Sequence, residues 1–127
     1  AASSDTLLIL GVTVLTSLDD AGLRETGFAA DVKATVTRLA RLAQESGLRG
    51  VVASPLEIRA IRDACGETMT IVVPGVRPEG ADRGDQRRTM TPREAIDAGA
   101  DYIVVGRPIT EKKNRREAAV QIVESLV

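Results

Sequence analysis

Gly47-Leu48-Arg49-Gly50-Val51-Val52-Ala53-Ser54-Pro55-Leu56-Glu57 is the stretch from which the fold is read. Gly50 to Ala53 is an apolar run without polar alternation, the pattern of a parallel strand buried on both faces. Ser54-Pro55-Leu56-Glu57 follows at once and carries a helix start: an N-cap hydroxyl, a proline where the missing N–H costs nothing, and a glutamate able to reach back to the cap amide. The order recurs downstream. Gly99-Ala100-Asp101-Tyr102-Ile103-Val104 enters a second strand much as Gly47 to Val52 enters the first, and Thr91-Pro92-Arg93-Glu94 repeats the helix start.

Working outward, two more runs of the same kind appear, Leu7 to Leu15 and Met69 to Val73, while the run at Tyr102 extends to Val105. Asp31 to Ser46 places Val32, Val36, Leu39, Ala40 and Ala43 on one helical face and ends at Gly47, a good residue for the left-handed position beyond a helix. Gly66 and Gly99 close the helices begun at Ser54 and Thr91. A last helix over about Asn114 to Leu126 aligns Ala118, Ala119, Ile122, Val123 and Leu126. The chain is thus a series of four βα units with no linker or low-complexity stretch, one domain over residues 1–127.

Four parallel strands pose a physical difficulty. A barrel of such units closes with eight, so four leave two open edges and one apolar sheet face uncovered. An open doubly wound sheet is the other solution, but no switch-point glycine fingerprint follows the first strand. The expected fold is therefore α/β, half of a TIM (β/α)8 barrel, (βα)4. The length of 127 residues suits one ordinary domain but is about half of what the closed barrel needs.

Composition narrows the chemistry. There are 17 Lys+Arg against 18 Asp+Glu, a net charge of −1, which argues against a strongly charged partner surface. No His is present, which excludes imidazole catalysis and histidine metal sites within the chain. Phe28 and Tyr102 are the only aromatics, so no nucleic-acid stacking platform is expected. The lone Cys65 closes neither an intrachain disulfide nor a thiolate zinc site. The longest apolar run falls well short of the ~20 residues that span a bilayer, so no membrane association is expected and a cytoplasmic location is the default.

In α/β barrels the loops after the strands form the active face. After the first strand come Thr16-Ser17-Leu18-Asp19-Asp20, where Thr16 or Ser17 either caps a short helix containing the two aspartates or offers hydroxyls to a substrate. Ser54, after the second, reads as a cap. The third runs into Pro74-Gly75-Val76-Arg77-Pro78 and a long connection holding Gly80, Arg83, Gly84, Gln86, Arg87 and Arg88. Its forked donors suit an anionic oxygen cluster, but they equally suit a solvated loop. The fourth ends in Gly106-Arg107-Pro108-Ile109-Thr110, where glycine admits close backbone approach and arginine adds a bidentate charge, unless Gly106 is a simple turn residue. Asp31-Val32-Lys33 pairs a carboxylate with an ammonium, but at a helix start, where a cap is the expected role.

Val12-Thr13-Val14-Leu15-Thr16-Ser17, Gly50-Val51-Val52-Ala53-Ser54, Pro74-Gly75-Val76-Arg77-Pro78, Gly84-Asp85-Gln86-Arg87-Arg88-Thr89-Met90-Thr91-Pro92 and Gly106-Arg107-Pro108-Ile109-Thr110 closely resemble, in order and spacing, the C-terminal half of the bacterial orotidine 5′-phosphate decarboxylases, strands five to eight of the barrel. The resemblance implies decarboxylation of orotidine monophosphate to uridine monophosphate in pyrimidine synthesis, without metal or organic cofactor, in a homo-oligomer. It implies substrate binding by Thr16, Arg77, Gln86, Gly106 and Arg107, with Ser17 a weaker candidate. Gln86, Arg107 and the amides near Gly106 would hold the phosphate, Arg77 would lead into a closing loop, and Thr16 would lie near the pyrimidine and ribose. The family's catalytic Asp-x-Lys-x-x-Asp array belongs to the N-terminal half. Asp31-Val32-Lys33-Ala34-Thr35-Val36 lacks its second aspartate and stands elsewhere, so no catalytic residue is expected in this chain.

The partners expected are thus a nucleotide substrate and either the N-terminal half of the barrel or a second copy of this chain. The opening Ala1-Ala2-Ser3-Ser4-Asp5, without Met and running almost directly into a strand, fits a missing upstream half. Two alternatives are a self-associating half-barrel module without catalysis and a related phosphosugar barrel enzyme. The Gly-Asp-Gln-Arg-Arg segment disfavours the second.

Overall fold

A computed structural model describes residues 7–29, 31–80 and 89–127. Its frame is a four-stranded sheet of β1 (Leu10–Val12), β2 (Gly50–Val52), β3 (Thr70–Val73) and β4 (Tyr102–Ile103), ordered β1-β2-β3-β4. Every neighbouring pair is parallel, with Val12, Val52, Val72 and Tyr102 in one row across all four strands. Consecutive parallel neighbours are the arrangement expected of barrel units and not of a doubly wound sheet, whose strand order reverses.

Helices connect the strands. α1 (Asp20–Glu25) and α2 (Val32–Glu45) lie between β1 and β2, and α3 (Ile58–Cys65) between β2 and β3. α4 (Pro92–Asp97) precedes β4, and α5 (Arg107–Thr110) and α6 (Arg115–Glu124) follow it. They cover one face of the sheet, where Val51, Ile71 and Val73 are fully buried with Val36 and Ala40 of α2, Ile58 and Ile61 of α3, and Ala95 of α4. A Cβ on Gly11 would meet Leu48 and Ala43 at 3.2 and 3.3 Å, so β1 approaches α2 with no room for a side chain.

Most expected helix ends are observed. Asp31 caps α2, its Oδ1 accepting the Ala34 N–H at 2.7 Å. Thr91 and Glu94 form a complete capping box at α4. Gly66 and Gly99 take φ of 79° and 109°, which L side chains rarely adopt.

Three expectations are corrected. The run from Leu7 to Leu15 yields only three strand residues, Leu10–Val12, which pair with the three residues of β2. Ser54 makes no side-chain cap bond: Pro55–Glu57 form a 3-10 turn ahead of α3, whose tighter winding does not present Glu57 as an α-helical N3 residue. In α6, Ala118 and Ile122 are buried but Val123 is exposed, since only part of the apolar stripe meets the rest of the chain.

Candidate functional site

Because all four strands point the same way, their C-terminal ends share one rim, and four of the five substrate-binding candidates stand on it. Thr16 lies past β1 and is buried, Arg77 lies past β3, and Gly106 and Arg107 lie past β4. Gln86, with Arg83, Arg87 and Arg88, falls outside the described residues.

Past β1, the sequence left open whether Thr16 or Ser17 caps the next helix. The cap is Asp19, whose Oδ1 accepts the Gly22 N–H at 2.9 Å. A carboxylate there meets the positive end of the helix dipole better than a hydroxyl does. Thr13 supports the start of this loop, its Oγ1 and backbone N–H both donating to the Val52 carbonyl, at 2.9 and 3.1 Å.

Past β3, Val76 is fully buried and Arg77 is only 9% exposed. The Arg77 Nη1 donates to the Val76 carbonyl at 2.8 Å. Its backbone N–H donates to the Met90 carbonyl at 2.9 Å, so the long connection leaves and rejoins the fold at adjoining points. That connection is therefore anchored at a narrow base.

Past β4, Gly106 caps the single turn of α5, its carbonyl accepting the Ile109 and Thr110 N–H groups at 2.9 and 3.0 Å. A Cβ on Gly106 would meet nothing within 4 Å, so the glycine opens onto free space at the rim. Arg107 begins the turn and is exposed. Backbone and guanidinium donors at such a place suit an oxyanion.

The acid–base candidates stand apart. The chain's three lysines are Lys33, in the first turn of α2, and Lys112 and Lys113, between α5 and α6. A recess of about 480 Å³ holds Asp19, Asp20, Asp31, Lys33 and Glu57. Its aspartates are engaged by backbone: Asp20 Oδ1 accepts the Val32 N–H at 2.9 Å, which ties the start of α1 to that of α2, while Asp19 and Asp31 cap their helices. Asp31 thus has the structural role expected of it. The buried carboxylate of Glu57 in this recess was missed, since its spacing from Ser54 read as a capping box. Among the described residues, no group of three or more His, Cys, Asp or Glu is placed to hold a metal. No described helix is long and apolar enough to cross a membrane.

Residues 1–122 match the family model described as orotidine 5′-phosphate decarboxylase / HUMPS family. The chain belongs to this family. It is 64% identical over 104 residues to the orotidine 5′-phosphate decarboxylase of Moorella thermoacetica, covering 81% of this chain and 41% of that one. It is 56% identical over 120 residues to that of Heliobacterium modesticaldum, covering 94% and 49%. Among solved structures it is similar to the orotidine 5′-phosphate decarboxylase of Lactobacillus acidophilus, with a TM-score of 0.75 and 36% identity over 92% of this chain and 48% of that one. The chain spans about half the length of the decarboxylases it matches, in keeping with four strands where a closed (β/α)8 barrel has eight.

Proposed function

We propose that this chain is the C-terminal half of an orotidine 5′-phosphate decarboxylase barrel and supplies its grip on the substrate phosphate, converting orotidine monophosphate to uridine monophosphate and CO₂ only together with an N-terminal half. The observation that carries this reading is the rim itself: Thr16, Arg77, Gly106 and Arg107 stand at the ends of parallel strands, while every lysine stands away from a strand end. Gln86, in the connection whose base Arg77 and Met90 define, is assigned to the phosphate by the family pattern.

The division has a physical logic. A phosphate dianion held far from the reacting carbon provides binding energy that orients and distorts the pyrimidine at the other end of the substrate. Closure of the connection after β3 over the bound nucleotide would exclude water from the ring. The proton donor and the carboxylates that stress the substrate carboxylate are assigned to the other half. No metal or organic cofactor enters the scheme, and the assembled enzyme is assigned to the cytoplasm as a homo-oligomer.

The purified chain mixed with orotidine monophosphate should show no loss of substrate absorbance above background. Decarboxylation at an enzymatic rate would place catalysis in this half and overturn the division. Calorimetric titration with uridine monophosphate should show weak binding that Arg107→Ala reduces about tenfold or more, a loss of roughly 1.4 kcal/mol. Equal binding by both proteins would remove Arg107 from the site.

A further inference from the structure

Arg107, Lys112, Lys113, Arg115 and Arg116 are five of the chain's 17 Lys+Arg and fall within ten consecutive residues, 107–116, that hold one carboxylate, Glu111. The segment carries +4, whereas the remainder, with 12 Lys+Arg against 17 Asp+Glu, carries −5. All five cations are exposed. Lys112 and Lys113 precede α6, and Arg115 and Arg116 lie in its first turn, at the positive end of the helix dipole, where carboxylates are favoured and cations are not. Glu117, the carboxylate of that turn, is held by Asn114, whose Nδ2 donates to its Oε2 at 3.0 Å. Among the described residues, no carboxylate forms an ion pair with Lys112, Lys113, Arg115 or Arg116. A grouping that works against its own helix without a compensating contact points to function.

The cluster adjoins the candidate rim. α5 is a four-residue turn, about 6 Å of helix axis, so Lys112 follows Arg107 within the Debye length of about 10 Å at 0.1 M salt. Arg115 Nε donates to the Thr110 carbonyl at 3.1 Å, which folds the start of α6 back against α5. Lys112 also lines a recess of about 440 Å³ with Pro108 and with Glu79 and Gly80, at the foot of the connection after β3. We infer that Lys112, Lys113, Arg115 and Arg116 form an electrostatic collar that steers an anionic nucleotide onto the Gly106–Arg107 rim without contacting it once bound. The ligand class rests on the decarboxylase reading, whereas the collar rests on the charge distribution. A phosphate dianion approaches a chain whose remainder is net negative and repels it. The local +4 offsets that repulsion at the place where the phosphate is to land. Steering acts through the field and needs no fixed side-chain geometry, which suits exposed side chains that no carboxylate holds.

Calorimetric titration of the chain with uridine monophosphate, at about 0.1 M and about 1 M salt, tests it. A variant combining Lys112→Gln, Lys113→Gln and Arg116→Gln should bind about fivefold more weakly than the parent at the lower salt. At the higher salt, where the Debye length is about 3 Å, the two should agree within about twofold. The variant's thermal midpoint should hold or rise, since cations leave the positive end of a helix. Arg107→Ala should lose affinity at both salt concentrations, because it removes a contact. Equal affinities of parent and combined variant at the lower salt overturn the collar and leave the decarboxylase reading standing. A loss that persists at the higher salt makes these side chains direct ligands, and a lower midpoint gives them to the fold; either result overturns the inference. A parent chain that binds no uridine monophosphate at either salt overturns both the collar and the phosphate grip.

Discussion

Arg62 Nη2 lies 2.7 Å from Asp101 Oδ2, and the same carboxylate oxygen accepts the backbone N–H of Ile71 at 2.7 Å. Arg62 also donates to the Gly99 carbonyl through Nε at 3.0 Å and Nη2 at 2.7 Å, and to the Met69 carbonyl through Nη1. One guanidinium on α3 therefore clasps the entries of β3 and β4, at the end of the sheet opposite the candidate rim. In these barrels that end serves stability and the other end serves chemistry.

The Arg62 side chain is 10% exposed and that of Asp101 is 41% exposed. Loss of the guanidinium removes a donor from the Gly99 and Met69 carbonyls and leaves the Asp101 carboxylate with the Ile71 N–H. Arg62→Ala should cost about 2–3 kcal/mol in urea unfolding. Lysine has no fork to serve three acceptors, so Arg62→Lys should recover less than half of that loss. Unchanged midpoints in both variants would show that the clasp contributes nothing net.

The capping box of α4 gives a pH-dependent term. Glu94 is held below its ordinary value of 4.5, first by the hydrogen bond from the Thr91 backbone N–H and then by that from the Thr91 hydroxyl. A carboxyl depressed in the folded state stabilises it above the unfolded value, and this stabilisation is lost as pH falls through the folded value. The acid limb of a stability–pH curve should therefore be shallower in Glu94→Gln than in the parent. Superimposable acid limbs would contradict the assignment. Thr91→Ala should cost about 1 kcal/mol at neutral pH.

Gly50 is a packing requirement of the sheet. A Cβ there would meet the Leu10 Cδ2 and would stand 3.1 Å from both the Cβ and the carbonyl oxygen of Thr70. Leu10 can swing aside but the β3 backbone cannot. Gly50→Ala should cost about 1–2 kcal/mol and Gly50→Val more, as overpacking does. Thermal midpoints that fall in the order Gly, Ala, Val would bear this out, whereas an unchanged valine variant would not.

Gly106 separates folding from binding. Its Cβ position is open, so Gly106→Ala should change unfolding stability by less than about 1 kcal/mol. The proposed phosphate would approach the backbone there, and the added methyl should weaken binding of uridine monophosphate. Loss of stability with unchanged affinity would reverse the roles given to this residue.

Much of the fold was legible in the chain because its signals are local. Period and apolarity mark the runs that became β2 and β3, Asp31 and Thr91 start their helices through bonds to amides three residues on, and Gly66 and Gly99 end theirs through positive φ. The candidate site was legible only as residue types after strands. Nothing local distinguishes Ser54, which does not cap, from Thr91, which does, since the difference is one turn of 3-10 winding. The Asp19 cap was likewise hidden behind two plausible hydroxyls.

By itself the sequence determined the order of the βα units, the positions of two helix caps and the family pattern of the strand-end motifs, all of which depend on residues near one another along the chain. Only the tertiary structure decided which groups distant along the chain meet. It set Arg62 against Asp101, pinned Arg77 to Met90, turned Val12, Tyr102 and Val104 outward on one uncovered face, and gathered four of the candidate residues on a single rim. The physical reason is that sheet register and helix docking are settled by the burial of the whole core, a sum over many distant contacts that no short stretch contains.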